Sequence, residues 1–168
     1  MKILLGEIKM DNYIINTVDQ NDIGKIIDIY NSNKTFLENH VGISKVSKDF
    51  IVNEIKEMKN IGFSSLVIKN NEGNIVGICD FKIGDEVYLS LLMIDSNLKG
   101  NGLGRIIYNQ LEKIFKTKNS KIIRIDVVYD YEENALGFWE KQGFVPSEEI
   151  QLEWNGYKSK AIKMYKNI

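Results

Sequence analysis

The stretch "LLMIDSNLKGNGLGRIIYNQLEKIF", Leu91 to Phe115, constrains the fold more than any other part of the chain. It opens on Leu-Leu-Met-Ile, apolar on both faces, as a strand covered from both sides must be. Three alternating glycines follow, Gly100, Gly102 and Gly104, and an amphipathic run begins at once. Leu103, Ile106, Ile107, Leu111, Ile114 and Phe115 fall on one face of a helix. A helix start carries free amide groups and a partial positive charge. Glycines there let the backbone approach a bulky anion, and Lys99 and Arg105 flank them. The stretch therefore reads as a cradle for a diphosphate rather than as a sharp turn alone. Two other phosphate motifs are excluded. No G-x-x-x-x-G-K-[ST] string occurs, and a G-x-G-x-x-G counted from Gly100 would place its last glycine on Arg105.

The rest of the chain alternates in a readable way. "NYIINTV" predicts a strand, and Asp19 or Asn21 can cap the helix after it, whose Ile23, Ile26, Ile27 and Tyr30 share a face. Asn31 to Val46 reads as irregular. Ser47 caps a second helix to about Asn60, with Ile51, Ile55 and Met58 inward. "FSSLVIKN", "NIVGICDFKI" and "EVYLSLLMI" predict three hairpin-linked strands. After the glycine helix come a buried strand, "KIIRIDVV", and a short helix, "EENALGFWEKQGF", ended near Gly143. A hairpin turning at Asn155-Gly156 closes the chain. The expected order is β-α-α-β-β-β-α-β-α-β-β. It implies an α/β (α+β) fold, a mixed sheet with helices on both faces.

The 168 residues and the absence of linkers or repeats point to one domain over 1–168. A net charge of −1 gives no global basic field, so no nucleic-acid partner is expected. The lone Cys79 cannot form an internal disulfide and reads as a buried thiol. "MKILLGEIKM" starts like a signal peptide, but its apolar run is too short and no small-residue cleavage site follows. No stretch approaches the roughly 20 apolar residues of a membrane span. A cytoplasmic protein without a membrane partner is the expectation.

"LLMIDSNLKGNGLGRIIYNQL" resembles the acetyl-coenzyme A signature of the GNAT superfamily of N-acetyltransferases, Arg/Gln-x-x-Gly-x-Gly/Ala opening a helix after an apolar strand. Lys99, Gly102 and Gly104 match it, with lysine in the Arg/Gln place. "NALGFWEKQGF" resembles a second family segment, and the element order agrees over roughly Asn12 to Lys166. The resemblance implies a mostly antiparallel twisted sheet whose central strand splays from its neighbour to admit the cofactor. It implies an acetyl-CoA-dependent N-acetyltransferase acting on a primary amine of a small molecule or peptide by direct attack, with acetyl-CoA as cosubstrate and no metal. The rival readings are a non-catalytic acyl-CoA-binding or sensor module and a protein lysine or N-terminal acetyltransferase.

Carried onto this chain, the resemblance implies that Leu92, Met93 and Ile94 offer backbone groups to the pantetheine arm. The Leu92 amide would point at the thioester oxygen and hold the charge that develops there. The amides of Gly100, Asn101, Gly102, Leu103, Gly104 and Arg105 would hold the pyrophosphate, with Lys99 beside them. The second segment's Asn place falls strictly on Glu132, with Asn134 two residues on as an alternative contact. Trp139 stands where many members carry a thiolate-protonating tyrosine, and indole N–H has no usable acidity. The usual base position falls on Ser90 or Tyr88, neither a ready proton acceptor. Asp80, Asp126, Tyr129 and Tyr131 are the candidates to border the gap, with Asp126 and Tyr129 carried forward as groups that could act through water. His40, the only histidine, sits where the family often lines its acceptor pocket. Trp154, Tyr157 and Tyr165 on the last hairpin could add pocket walls or a surface for homodimer pairing.

Overall fold

The computed structural model describes residues 8–10 and 12–168. Most of the signal-like "MKILLGEIKM" therefore lies outside the described residues. Its last three form β1 (Ile8–Met10), and β2 (Tyr13–Thr17) turns back on it. Then come α1 (Ile23–Ser32), α2 (Lys34–His40), α3 (Lys48–Asn60), β3 (Ser64–Asn70), β4 (Ile75–Ile83), β5 (Val87–Ile94) and α4 (Leu103–Thr117). The chain ends with β6 (Ile122–Val128), α5 (Leu136–Lys141), β7 (Val145–Trp154) and β8 (Tyr157–Asn167). The strands form one sheet in the order β1-β2-β3-β4-β5-β6-β8-β7. Every pair is antiparallel except β5–β6.

Local chemistry explains the element boundaries. The Asp19 side chain accepts from the Asn21 amide at 2.6 Å, and Asp22 returns the bond to the Asp19 amide at 3.0 Å. Ser47 caps α3 by accepting from the Phe50 amide at 3.2 Å. Gly143 ends α5 with φ 91°, and Asn155 and Gly156 turn the last hairpin with φ 53° and 75°, the double left-handed pair a two-residue type I′ turn demands.

Two departures from the expected pattern matter. Residues 34–40, expected to be irregular, form α2, because Leu37 is fully buried and Asn33 anchors the segment to the sheet. On α4, Ile106 is 42% exposed, and Tyr108, outside the apolar stripe, is completely buried. Its hydroxyl donates to Glu112 at 2.8 Å, so the ring can enter the core with its polar end satisfied.

One residue organises the centre of the sheet. Phe81 pairs with Leu89 and Asp80 with Leu91, which leaves Ser90 as an extra residue on β5. This bulge changes the phase of the strand. Val87 and Leu89 face the core shared with Ile107, Leu111 and Phe115 of α4. Leu91 and Met93 face the opposite core, with Ile26 and Ile29 of α1 and Ile51 of α3. An unbroken strand would put Leu89 and Leu91 on one face. Beyond the bulge β5 keeps β4 and loses β6: the parallel pairing consists of Val87 with Ile123 and Tyr88 with Arg124. β6 continues along β8 to Val128. A seam therefore opens in the sheet from Leu89 onward, as the resemblance implies.

Candidate active site

The glycine stretch lies at the open end of this seam. Asp95 closes a single 3-10 turn, Ser96–Leu98, by accepting from the Asn97 amide at 3.1 Å, while Lys25 Nζ donates to its other oxygen at 2.9 Å. The Lys99 amide donates back to the Ser96 carbonyl at 3.3 Å, so this amide is not free. The next amide to find a backbone acceptor is Ile106, on the Gly102 carbonyl at 3.1 Å. Among the described residues, no acceptor takes the amides of Gly100 to Arg105. Gly100 and Gly102 have φ of 84° and 73°, and a Cβ on either would meet nothing within 4 Å. The loop thus combines unpaired amides with open space at two glycines, which suits a diphosphate at a helix start.

The seam supplies the second set of groups. The Asp95 amide donates to Val76 on β4 at 2.9 Å. Antiparallel pairing alternates, so Met93 and Leu91 also turn their backbone groups to β4, and Leu92 and Ile94 turn theirs away from it. The Leu92 amide thus faces the gap, as expected. Met93 does not offer backbone groups to the gap, which corrects that part of the expectation. The Ile94 carbonyl is met by Asn33 Nδ2 at 3.0 Å, a bond that ties α2 to the end of β5.

Seam, glycine loop and α2 enclose one cavity of about 610 Å³, within the range of small-molecule and cofactor sites. Ser90, Tyr88, Lys99, Arg105 and Trp139 all line it. Part of its wall is made of aromatic rings. Phe36 stacks on His40 at 3.7 Å, and His40 meets Tyr131 edge-on at 5.7 Å. His40 Nε2 lies 3.2 Å from the Tyr131 hydroxyl. Burial pulls the His40 pKa down to about 4, so the imidazole is neutral at pH 7. Burial likewise raises Tyr131, with Glu133 adding to the effect. Phe36 was not singled out in the sequence. Its spacing of four from His40 is the helical signal that could have found it.

Several expected site residues have other tasks. Asp126 lines the cavity, but its Oδ1 accepts from Arg124 Nε at 3.1 Å. Its Oδ2 accepts from Arg124 Nη2 at 2.8 Å and from the Tyr88 hydroxyl at 2.7 Å. Most of its lone pairs are spoken for, so it serves the packing of β6 against β5 rather than as a free base. The Tyr129 hydroxyl turns outward and donates to Glu149 at 2.9 Å, away from the cavity lining. Asn134 spends its amide on the carbonyls of Tyr129 and Tyr131, at 3.1 and 2.6 Å, and accepts from the Leu136 amide at 3.0 Å. It shapes the loop into α5 and does not line the cavity. Asp80 does not line the cavity; it lies beside Tyr30, Ser65 and Glu54, where burial raises its pKa to about 7. Of the hairpin aromatics, Trp154 lines the cavity. Tyr157 packs against Gly42, where an added Cβ would lie 2.4 Å from its ring. Tyr165 pairs with Arg124 across β6–β8, and Glu132 is exposed; both lie outside the lining.

Comparison with known proteins agrees with this geometry. The family described as Acetyltransferase (GNAT) family matches residues 26–144. A curated relative, the uncharacterized N-acetyltransferase R584 of Acanthamoeba polyphaga mimivirus, is 25% identical over 157 residues. That match covers 92% of this chain and 33% of the relative, so the chain spans about a third of the relative's length. The acetyltransferase from Salmonella typhimurium that modifies the N-terminal serine of ribosomal protein L7/L12 superposes with a TM-score of 0.76. It shares 13% identity, over 95% of this chain and 96% of that one. Spermidine N-acetyltransferase from Vibrio cholerae, in complex with CoA and spermine, gives 0.72 at 18% identity, over 94% and 96% of the two chains. Ribosomal-protein-alanine N-acetyltransferase from Brucella melitensis gives 0.65 at 18% identity, over 92% and 99%. At these identities the likeness establishes the fold.

Proposed function

The chain belongs to the Acetyltransferase (GNAT) family, and on that premise we propose that it moves an acetyl group from acetyl-CoA to a primary amine by direct attack. The observation that carries this reading is the continuity of the open β5–β6 seam with the unpaired amides of Gly100 to Arg105. Acetyl-CoA supplies an activated thioester. The chain's own groups do the rest. The loop amides, with Lys99 and Arg105 on the cavity wall, bind the pyrophosphate. The Leu92 amide holds the charge that gathers on the thioester oxygen as the amine attacks. The cavity walls bring the amine to the carbonyl, and positioning of this kind can contribute more than proton transfer does. No free carboxylate stands at the usual base position, so the amine proton leaves through water.

The names of the structural neighbours support an amine acceptor, whether polyamine or protein N-terminus. Among the described residues no helix is long and apolar enough to cross a membrane. The test is to titrate the protein with coenzyme A and, separately, to follow thiol release from acetyl-CoA with a panel of amines. Binding at micromolar coenzyme A together with amine-dependent thiol release is the expected result. An absence of binding at millimolar coenzyme A would end the proposal. Binding with no turnover on any amine would instead favour an acyl-CoA-binding module, the reading that Trp139 in the tyrosine place motivates.

A further inference from the structure

Tyr131, His40, Phe36 and Trp154 form an unbroken run of rings along the acceptor wall. The centroid separations are 5.7, 3.7 and 6.2 Å from one to the next. The run draws on three separate parts of the fold: the loop after β6, helix α2 and the end of β7. All four residues line the cavity that contains the Leu92 amide. Their charge balance is distinctive. The cavity wall holds two carboxylates, Asp126 and Glu133. Asp126 is paired with Arg124 and accepts from Tyr88, which leaves the exposed Glu133 as the uncompensated one. His40 is uncharged, and Phe36, Trp154 and Tyr131 present ring faces or edges. A polyamine bound here would bring two or more cations beyond the reacting amine to a wall with one free carboxylate. Desolvating charges without partners is costly. A flat apolar body would instead meet aromatic surface along its length.

We infer that the acceptor is an arylalkylamine, a primary amine on a short chain attached to an aromatic ring, with the ring lodged against Phe36 and Trp154 and the amine directed at the thioester. This rests on the acetyl-transfer reading above. The geometry suits the class because α2 is held at the right place twice. Asn33 bonds to Ile94 at its start, and Ser159 Oγ donates to the Asn39 carbonyl at 2.9 Å near its end. A rigid ring pocket selects shape better than a mobile one.

The experiment compares 2-phenylethylamine, tryptamine, a peptide with N-terminal phenylalanine, n-butylamine and spermidine as acceptors. It also measures binding of each to the coenzyme A-saturated protein by calorimetry. Expected are a kcat/KM for the two arylalkylamines at least tenfold above butylamine and spermidine, and a tenfold rise in their KM in Phe36→Leu and Trp154→Leu. Butylamine should respond little to either variant, and a thermal melt of each variant confirms folding. Arylalkylamine binding with no transfer to any of the five amines would count for the class and against the acetyl-transfer reading. Transfer with spermidine equal or preferred would overturn the class and leave that reading standing, as would preference for the peptide over both small arylalkylamines. Absence of binding and transfer for the arylalkylamines overturns the class, and if every other amine also goes unacetylated it overturns both.

Discussion

His40 Nε2 and the Tyr131 hydroxyl lie 3.2 Å apart, joining helix α2 to the loop that follows β6. The contact joins two segments 91 residues apart in sequence. It couples the acceptor wall to the ionisation of one buried imidazole, which makes it accessible to titration.

In the folded protein His40 takes a proton only near pH 4, whereas in the unfolded chain it titrates near 6.5. Between those values the unfolded state binds more protons, so stability falls as pH drops from about 6.5 to about 4 and is unaffected above that window. Asp80 has the opposite sign, because a carboxyl raised to about 7 loses stability as pH rises toward that value. His40→Gln should therefore flatten the acid limb alone. Urea unfolding at intervals from pH 4 to 8 checks this. Parallel acid limbs in the parent and the variant would contradict it.

Gly102 caps α4 at φ 73° with open space around its Cβ position. Gly102→Ala should cost about 1 kcal/mol of stability from left-handed strain alone. The added methyl enters open space at the helix start, where the proposed function seats the pyrophosphate. The dissociation constant for coenzyme A should rise tenfold or more, about 1.4 kcal/mol, while Tm falls by only a few degrees. Calorimetric titration beside a thermal melt separates the two effects.

Deleting Ser90 would remove the bulge while leaving Leu89 opposite Phe81 and Leu91 opposite Asp80, so residues 91–94 would keep their faces. That deletion should therefore leave a folded protein, since Leu91 and Met93 stay in one core and Leu92 and Ile94 in the other. Ser90→Ala should be mild, at about 1 kcal/mol or less, because it loses one hydroxyl bond to the Asp80 carbonyl at 3.2 Å. Circular dichroism and denaturant midpoints on both variants decide the point. An unfolded deletion variant would show that the bulge is needed for folding itself.

Asp126→Asn breaks a pair whose carboxylate side chain is 2% exposed and leaves Arg124 with Glu86 at 3.8 Å. Losing one partner of a buried pair costs roughly 3 kcal/mol. The variant should show a large drop in Tm, with turnover per folded molecule largely preserved. A selective loss of kcat at unchanged stability would instead make Asp126 a catalytic group.

The local patterns in the sequence determined most of the elements but not α2, together with the caps at Asp19 and Ser47, the turn at Asn155-Gly156 and the anion-ready start of α4. Each of these depends on residues within a few positions of one another. Tertiary structure decided which polar groups remain free. Asn134, Tyr129 and Asp126 carry suitable chemistry, but hydrogen bonds to Tyr131, Glu149 and Arg124 employ them elsewhere. His40, Tyr131 and Trp154 of the acceptor wall were candidates in the sequence, but their contact was hidden, because the rings come from distant segments and meet only once the sheet has closed on α2. The phase change at Ser90 lies between these cases: its residues are adjacent, yet the extra residue is defined only by what β4 places opposite it. Spacing along a chain specifies local geometry, whereas the use of a side chain depends on partners that only folding brings within reach.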